Sequence, residues 1–64
     1  MIEYRIGEIL YYSGNLDRSK DIFLSFQSPI EYRLGSLLFL GMIAVKKGNL
    51  GEANGILNEI KTLY

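Results

Sequence analysis

A chain of 64 residues forms one small domain at most, and a domain of this size buries only about 60% of the surface that its unfolded chain exposes. Cysteine and histidine are both absent, which excludes disulfide bonds and the usual ligand sets for zinc and haem, so we expect no metal and no cofactor. Seven basic residues balance seven scattered acidic ones, so no basic stripe exists to neutralise nucleic-acid phosphates, and we expect no nucleic-acid partner.

The longest uncharged stretch, 34–45, is too short to cross a bilayer as a helix. The first five residues lack the basic start and apolar core of a signal peptide. We therefore expect a cytoplasmic protein with no membrane partner.

The first half of the chain predicts two helices. One covers about residues 2–13 and ends at Gly14-Asn15, where glycine supplies the left-handed geometry of a helix stop. The other covers about residues 16–27. An apolar stripe at helical spacing consists of Ile2, Ile6, Ile9 and Leu10 in the first helix, and Leu16, Ser19, Ile22, Phe23 and Phe26 lie on one face of the second.

A third helix is predicted from about 29 to 47. Ser28 is a suitable cap, Pro29 suits the first helical position, and Glu31 can reach back to complete a capping box. The helix is apolar on nearly every side, which predicts burial between two neighbouring helices. Gly35 and Gly41 would let a neighbouring backbone come close.

A fourth helix is predicted over about residues 50–63. Gly48 ends the third helix, and Asn49, with Glu52 three residues later, is positioned to cap the fourth. Its predicted inward stripe consists of Ala53, Ile56, Leu57, Ile60 and Leu63.

The chain contains an internal repeat. When the sequence is compared with itself, 1–30 align with 35–64, and the matches fall at helix-face spacing and at the turn. A rival offset of 28 aligns 3–7 with 31–35 but then places turn residues inside a helix. The identical pairs at offset 34 are Gly7/Gly41, Ile9/Ile43, Gly14/Gly48, Asn15/Asn49, Leu16/Leu50 and Ile22/Ile56.

These residues resemble the tetratricopeptide (TPR) repeat, a helix–turn–helix unit of about 34 residues. The chain departs from the TPR pattern at Glu3, where a large aromatic is usual, at Ala44, where tyrosine is usual, and at Pro29, which comes two residues early. The positions that fall on the pattern are Ile6, Gly7, Leu10, Ser19 and Phe23 in the first unit and Leu37, Leu40, Gly41, Ala44, Ala53 and Leu57 in the second.

The resemblance implies an all-α fold in which two antiparallel helix–turn–helix hairpins stack as a short α-solenoid. Residues 1–64 would form a single TPR-like domain, with repeat one at about 1–33 and repeat two at about 34–64. The alternative is a plain four-helix bundle whose period arises by chance.

The resemblance also implies a protein-binding scaffold with an apolar and aromatic groove lined by helices 1 and 3. The tyrosines could equally cover the edge of the core, and we expect at least one of Leu38, Phe39 and Met42 to belong to the core. Lys46 and Lys47 also suit a helix C-terminus, where they offset the dipole. The groove-facing candidates are Tyr4, Glu8, Tyr11, Tyr12, Leu38, Phe39, Met42, Val45 and Lys46.

No motif of a catalytic site is present, so we expect a non-catalytic protein. The expected partner is another protein or peptide, or a second copy in a symmetric homodimer through helices 1 and 3. Alternatives are a small self-associating helical protein, a fragment of a longer TPR solenoid, and, with least support, a peripheral membrane element.

Overall fold

The computed structural model describes residues 2–26 and 30–63, which form four helices. They are α1 (Ile2–Tyr12), α2 (Leu16–Leu24), α3 (Ile30–Lys46) and α4 (Leu50–Thr62). Helix α1 packs against α2, and α3 packs against α4, which confirms the all-α arrangement of two helical hairpins. The predicted capping box lies outside what the structure describes, since 27–29 and the side chain of residue 31 are not described.

Helix α2 is shorter than predicted, because Ser25 ends it. The Ser25 backbone N–H and hydroxyl both donate to the carbonyl oxygen of Ile22, the hydroxyl at 2.6 Å. A serine that satisfies a carbonyl of the last turn competes with continuation of the helix. The prediction that α2 continues to about residue 27 is therefore wrong at its C-terminal end.

The turns within the two hairpins share one geometry. Gly14 and Gly48 have φ angles of 88° and 79°, in the left-handed region that glycine tolerates best. The residue after each glycine, Asn15 or Asn49, donates its N–H over 2.8 Å to a carbonyl five residues earlier, as in a Schellman motif. The repeat in the sequence is thus matched by a repeated turn.

The predicted side-chain cap of α4 is wrong. Asn49 makes no side-chain capping bond; its carbonyl accepts from the Ala53 N–H at 3.0 Å instead. Glu52 does not reach back to Asn49 but forms an ion pair of 3.2 Å with Lys20 of α2. A second ion pair between the hairpins joins Lys47 to Asp17.

The face of α1 that packs inward is not its apolar isoleucine stripe. Gly7 and Tyr11 are buried and Tyr4 is half-buried, whereas Ile2, Ile6 and Ile9 are exposed. Gly7 explains this orientation, because a Cβ there would lie 2.8 Å from Cγ2 of Ile22 and 3.0 Å from Cζ of Phe23 on α2. Only a glycine at this position lets α2 approach so closely, and the approach turns the isoleucines outward.

An aromatic cluster joins the two hairpins. The Phe39 ring of α3 stacks on the Phe23 ring of α2, with centroids 4.6 Å apart and planes 7° apart. The Tyr4 ring meets the edge or face of Phe23, Phe26, Tyr32 and Phe39 at centroid distances of 5.2–6.4 Å. Such pairs add about 0.5–1.5 kcal/mol each beyond the area they bury. The cluster holds α3 against the first hairpin.

Helix α3 lies between α2 and α4, as its apolar sequence predicts. Leu37, Leu40, Ile43 and Ala44 are buried. Helix α4 contacts only α3 strongly, and none of its residues is buried. No helix in the described part of the chain is long and apolar enough to span a membrane.

The expectation for the mid-helix glycines of α3 is wrong. A Cβ on Gly41 would make only ordinary contact, 3.5 Å from Cγ2 of Ile56, so no neighbour requires a glycine there. Gly35 is needed for a side chain and not for a backbone, because a Cβ at that position would overlap the Tyr4 hydroxyl oxygen.

Candidate functional site

An open apolar groove of about 500 Å³ runs between α3 and α4. Its described lining consists almost entirely of aliphatic side chains, and we call it the α3–α4 groove. The lining residues are Tyr11, Leu37, Leu38, Gly41, Met42, Val45, Lys46, Ala53, Ile56, Leu57 and Ile60. A groove of this size and composition fits one apolar face of a helix better than a polar ligand.

The internal repeat explains why the groove exists. In the alignment of the two repeats, Leu57 corresponds to Phe23 and Val45 corresponds to Tyr11. In the first hairpin α3 covers this surface, so Phe23 is 0% exposed and Tyr11 is 5% exposed. In the second hairpin no described helix covers it, and Leu57 and Val45 are 48% and 58% exposed. The groove is the surface on which the chain's own architecture places a further helix.

The structure places four of the predicted groove residues together. Leu38, Met42, Val45 and Lys46 all line the α3–α4 groove, and the first three are exposed hydrophobic side chains. Tyr11 contributes to the same wall from α1, although most of its side chain is buried. These five residues form one continuous surface with α4.

The other four candidates lie elsewhere. Tyr4 and Phe39 belong to the aromatic cluster between the hairpins, and of Leu38, Phe39 and Met42 it is Phe39 that packs against the core. Glu8 is half-buried on α1 and pairs with Arg5 at 3.5 Å. Tyr12 is exposed, with its ring edge-on to Tyr11 at a centroid distance of 5.0 Å. None of the four is among the residues that line the α3–α4 groove.

The groove carries little charge. The Lys46 ammonium lies 4.6 Å from the centroid of the Tyr11 ring, a cation–π contact that holds it at the end of the groove. Tyr4, in the aromatic cluster, has a raised pKa because burial disfavours its ionised form and Glu8 lies nearby. Among the described lining residues Lys46 carries the one charge, which can orient a partner that presents an acidic side chain.

The sequence pattern predicts that the α4 wall of the groove belongs to the core. Ala53, Ile56 and Ile60 are half-buried and Leu57 is exposed, so the predicted inward stripe of α4 is only partly covered. The signal that identifies them is the repeat itself, because Phe23, the counterpart of Leu57, contacts both Tyr4 of α1 and Phe39 of α3. A stripe that serves two neighbours in the first hairpin meets only one in the second.

No protein-family model matches the chain, and neither does any curated protein or solved structure.

Proposed function

We propose that the chain is a non-catalytic protein-interaction module, a TPR-like scaffold that binds the apolar face of a helix in the α3–α4 groove. One observation carries the proposal. The surface that α3 covers on the first hairpin is present again on the second, where its residues are exposed. The partner is a protein or peptide helix, and neither a nucleic acid nor a membrane.

The chemistry of the groove defines the partner. Leu38, Met42, Val45 and Leu57 offer aliphatic contact, and methionine adapts to differently shaped side chains. Burying one large aliphatic side chain of the partner contributes about 1.5–3 kcal/mol. A helix with leucine, isoleucine or phenylalanine at i, i+4 and i+7 places three such side chains in a row. An acidic residue beside them would meet Lys46.

The direct test is a selection from a displayed library of amphipathic helices that vary on one face. Selected helices are synthesised and titrated into the chain carrying ¹³C-methyl methionine. Only Met1 and Met42 give signals, and the Met42→Leu variant assigns them. We expect the Met42 methyl signal to shift on binding, because that side chain lines the groove.

Two matched variants give the control. Leu57→Glu places a charge in the groove and should weaken binding at least about 30-fold, the loss expected for a central apolar contact. Gly55→Glu adds the same charge to α4 where a side chain would meet no neighbour, and should leave affinity unchanged. Selected helices that bind both variants equally, or that leave the Met42 signal in place, would refute the proposal.

A further inference from the structure

Three isoleucines form an exposed stripe on α1 that the core does not use. Ile2, Ile6 and Ile9 lie at i, i+4 and i+7, so they follow one face of the helix. Ile6 is 41% exposed and Ile9 is 65% exposed. We call these three residues the α1 ridge. Single exposed apolar residues are ordinary, but a continuous row on one helix marks a contact surface.

The repeat identifies what such a ridge does. In the second repeat, the α1 ridge corresponds to Ser36, Leu40 and Ile43 of α3. All three are buried; Ile43 is 1% exposed. Leu40 and Ile43 belong to the core cluster that includes Tyr11 and Phe23 of the first hairpin. The residues at these positions in α3 therefore face the preceding hairpin. No described helix covers the residues at the same positions in α1.

We propose that the α1 ridge of one copy inserts into the α3–α4 groove of a second copy, in the way that α3 docks on α1 and α2 within the chain. This deepens the proposed function and rests on it, because it names the helix that the groove binds. The occupant is a second copy of this chain because the chain already contains one example of the same contact in the same register.

This head-to-tail contact covers both exposed apolar surfaces at once. A symmetric dimer through the groove would leave the α1 ridge in water, and one through the ridge would leave the groove open. A head-to-tail contact is heterologous, so each added copy presents a new groove and a new ridge. Assembly then continues beyond two copies unless a ring closes. This arrangement differs from the symmetric dimer that the sequence alone suggests.

Charge weakens the contact without preventing it. Arg5 takes the place that Phe39 holds in α3, so its aliphatic stem, and not a ring, would lie over Leu57. Arg5 already pairs with Glu8 at 3.5 Å, so the inserted face brings a neutral ion pair toward Lys46. We therefore expect dissociation constants of roughly 10 µM to 1 mM, as for small transient interfaces.

The test uses the full chain at roughly 5 µM to 2 mM in sedimentation velocity, a range that brackets the expected affinity. Ile9→Glu blocks the ridge and leaves the groove intact. Leu57→Glu blocks the groove and leaves the ridge intact. Both side chains are exposed, so neither substitution disturbs the core, and Gly55→Glu is the control for added charge. The wild type and Gly55→Glu should associate, and each blocked variant should stay monomeric.

Mixing the two blocked variants decides between arrangements. Ile9→Glu and Leu57→Glu together retain one intact ridge and one intact groove, so a head-to-tail contact predicts a 1:1 heterodimer that grows no further. A groove-to-groove dimer predicts instead that Ile9→Glu dimerises alone, and a ridge-to-ridge dimer predicts the same of Leu57→Glu. Either result, or a mixture that stays monomeric, overturns the inference.

A gain-of-affinity variant gives an independent measurement. Arg5→Phe restores the ring that α3 carries at this register and should tighten association at least tenfold, while Arg5→Phe with Leu57→Glu should remain monomeric. If the wild type and Arg5→Phe are both monomeric at the highest concentration although selected helices bind the groove, the second-copy inference fails and the proposed function stands. If selected helices also avoid the groove, both fail.

Discussion

Gly7 and Gly41 occupy the same position in the two repeats, yet replacing each with alanine should have opposite effects. Alanine gains about 0.8–1.0 kcal/mol over glycine inside a helix. At Gly41 that gain is kept, because the new Cβ makes only a 3.5 Å contact with Ile56. At Gly7 the new Cβ would lie 2.8 Å from Ile22 and 3.0 Å from Phe23.

The penalty at Gly7 exceeds the gain. Phe23 is fully buried and stacked on Phe39, so its ring cannot shift without disturbing that stack. Overpacking of this kind costs about 1–3 kcal/mol. Gly7→Ala should therefore lower the free energy of unfolding by about 1 kcal/mol, while Gly41→Ala should raise it by about the same amount. The two variants should differ by about 2 kcal/mol, or about 8–16 °C in melting temperature for a domain of this size.

Urea and thermal unfolding followed by circular dichroism in the far ultraviolet measure both values. The chain is kept in the low micromolar range, where association does not contribute to stability. Gly55→Ala, in the interior of α4 where a Cβ meets no neighbour, calibrates the propensity gain alone. If Gly7→Ala and Gly41→Ala stabilise equally, α1 and α2 are not in close contact, and the explanation for the outward-facing isoleucines falls.

Three further predictions concern single contacts. Ser36→Ala should raise the free energy of unfolding by about 1 kcal/mol in urea titrations, because the buried Ser36 hydroxyl has no hydrogen-bond partner among the described residues; a loss would show a missed partner. Gly35→Ala should cost about 1–2 kcal/mol of stability, because the new Cβ would overlap the Tyr4 hydroxyl. Adding Tyr4→Phe should recover part of this loss, since the nearest remaining ring atom, Cζ, is 3.2 Å away. Additive costs in the double-mutant cycle would contradict this explanation. The Lys47 ammonium donates a hydrogen bond to Asp17 and lowers the pKa of that carboxyl below its ordinary 3.8. The pair therefore stabilises the fold above pH 3.8, and this contribution is lost as the pH falls through the lowered pKa. Asp17→Asn should therefore show a smaller fall in melting temperature between about pH 5 and about pH 2, with the difference shrinking in salt; an unchanged acid profile would exclude the pair as a contributor.

Those parts of the fold that depend on local geometry could be predicted from the sequence. Gly14 and Gly48 end their helices because a residue in the left-handed conformation is needed there. The local sequence of a few residues is enough to predict this. The period of the repeat placed two hairpins in the right order. The end of α2 at Ser25 was missed because serine satisfies a carbonyl of the last turn in a way that periodicity does not register.

The orientation of α1 could not be predicted from periodicity. Two stripes compete on that helix: Ile2, Ile6 and Ile9 on one side, and Gly7 with the tyrosines on the other. The isoleucines are more hydrophobic, but the choice depends on how closely α2 can approach, and that contact is tertiary. The repeat indicates the inward face of α1, because Gly7 matches Gly41 and both face the second helix of their hairpin.

The candidate site was half predicted. Leu38, Met42, Val45 and Lys46 were proposed from the family resemblance, and they do share one surface. The opposite wall on α4 was assigned to the core, since an apolar stripe is the same pattern whether one neighbour or two cover it. Only the packing of α3 against the first hairpin distinguishes the two cases. It shows that the equivalent surface of the first hairpin is covered by a second neighbouring helix.

The most direct measurement of the central claim is intermolecular paramagnetic broadening of the Met42 methyl signal. The chain has no native cysteine, so Glu3→Cys carries a unique nitroxide on α1. The nitroxide copy also carries Leu57→Glu, and the ¹³C-methyl methionine copy carries Ile9→Glu, so only one ridge and one groove can meet. A nitroxide at Glu3→Cys should broaden the Met42 signal of the other copy strongly. A nitroxide at Gly55→Cys, which lies in the second hairpin and not on the docked α1, should broaden it far less. Equal broadening from the two positions, or none from either, would contradict the claim that the α3–α4 groove receives α1 as the first hairpin receives α3.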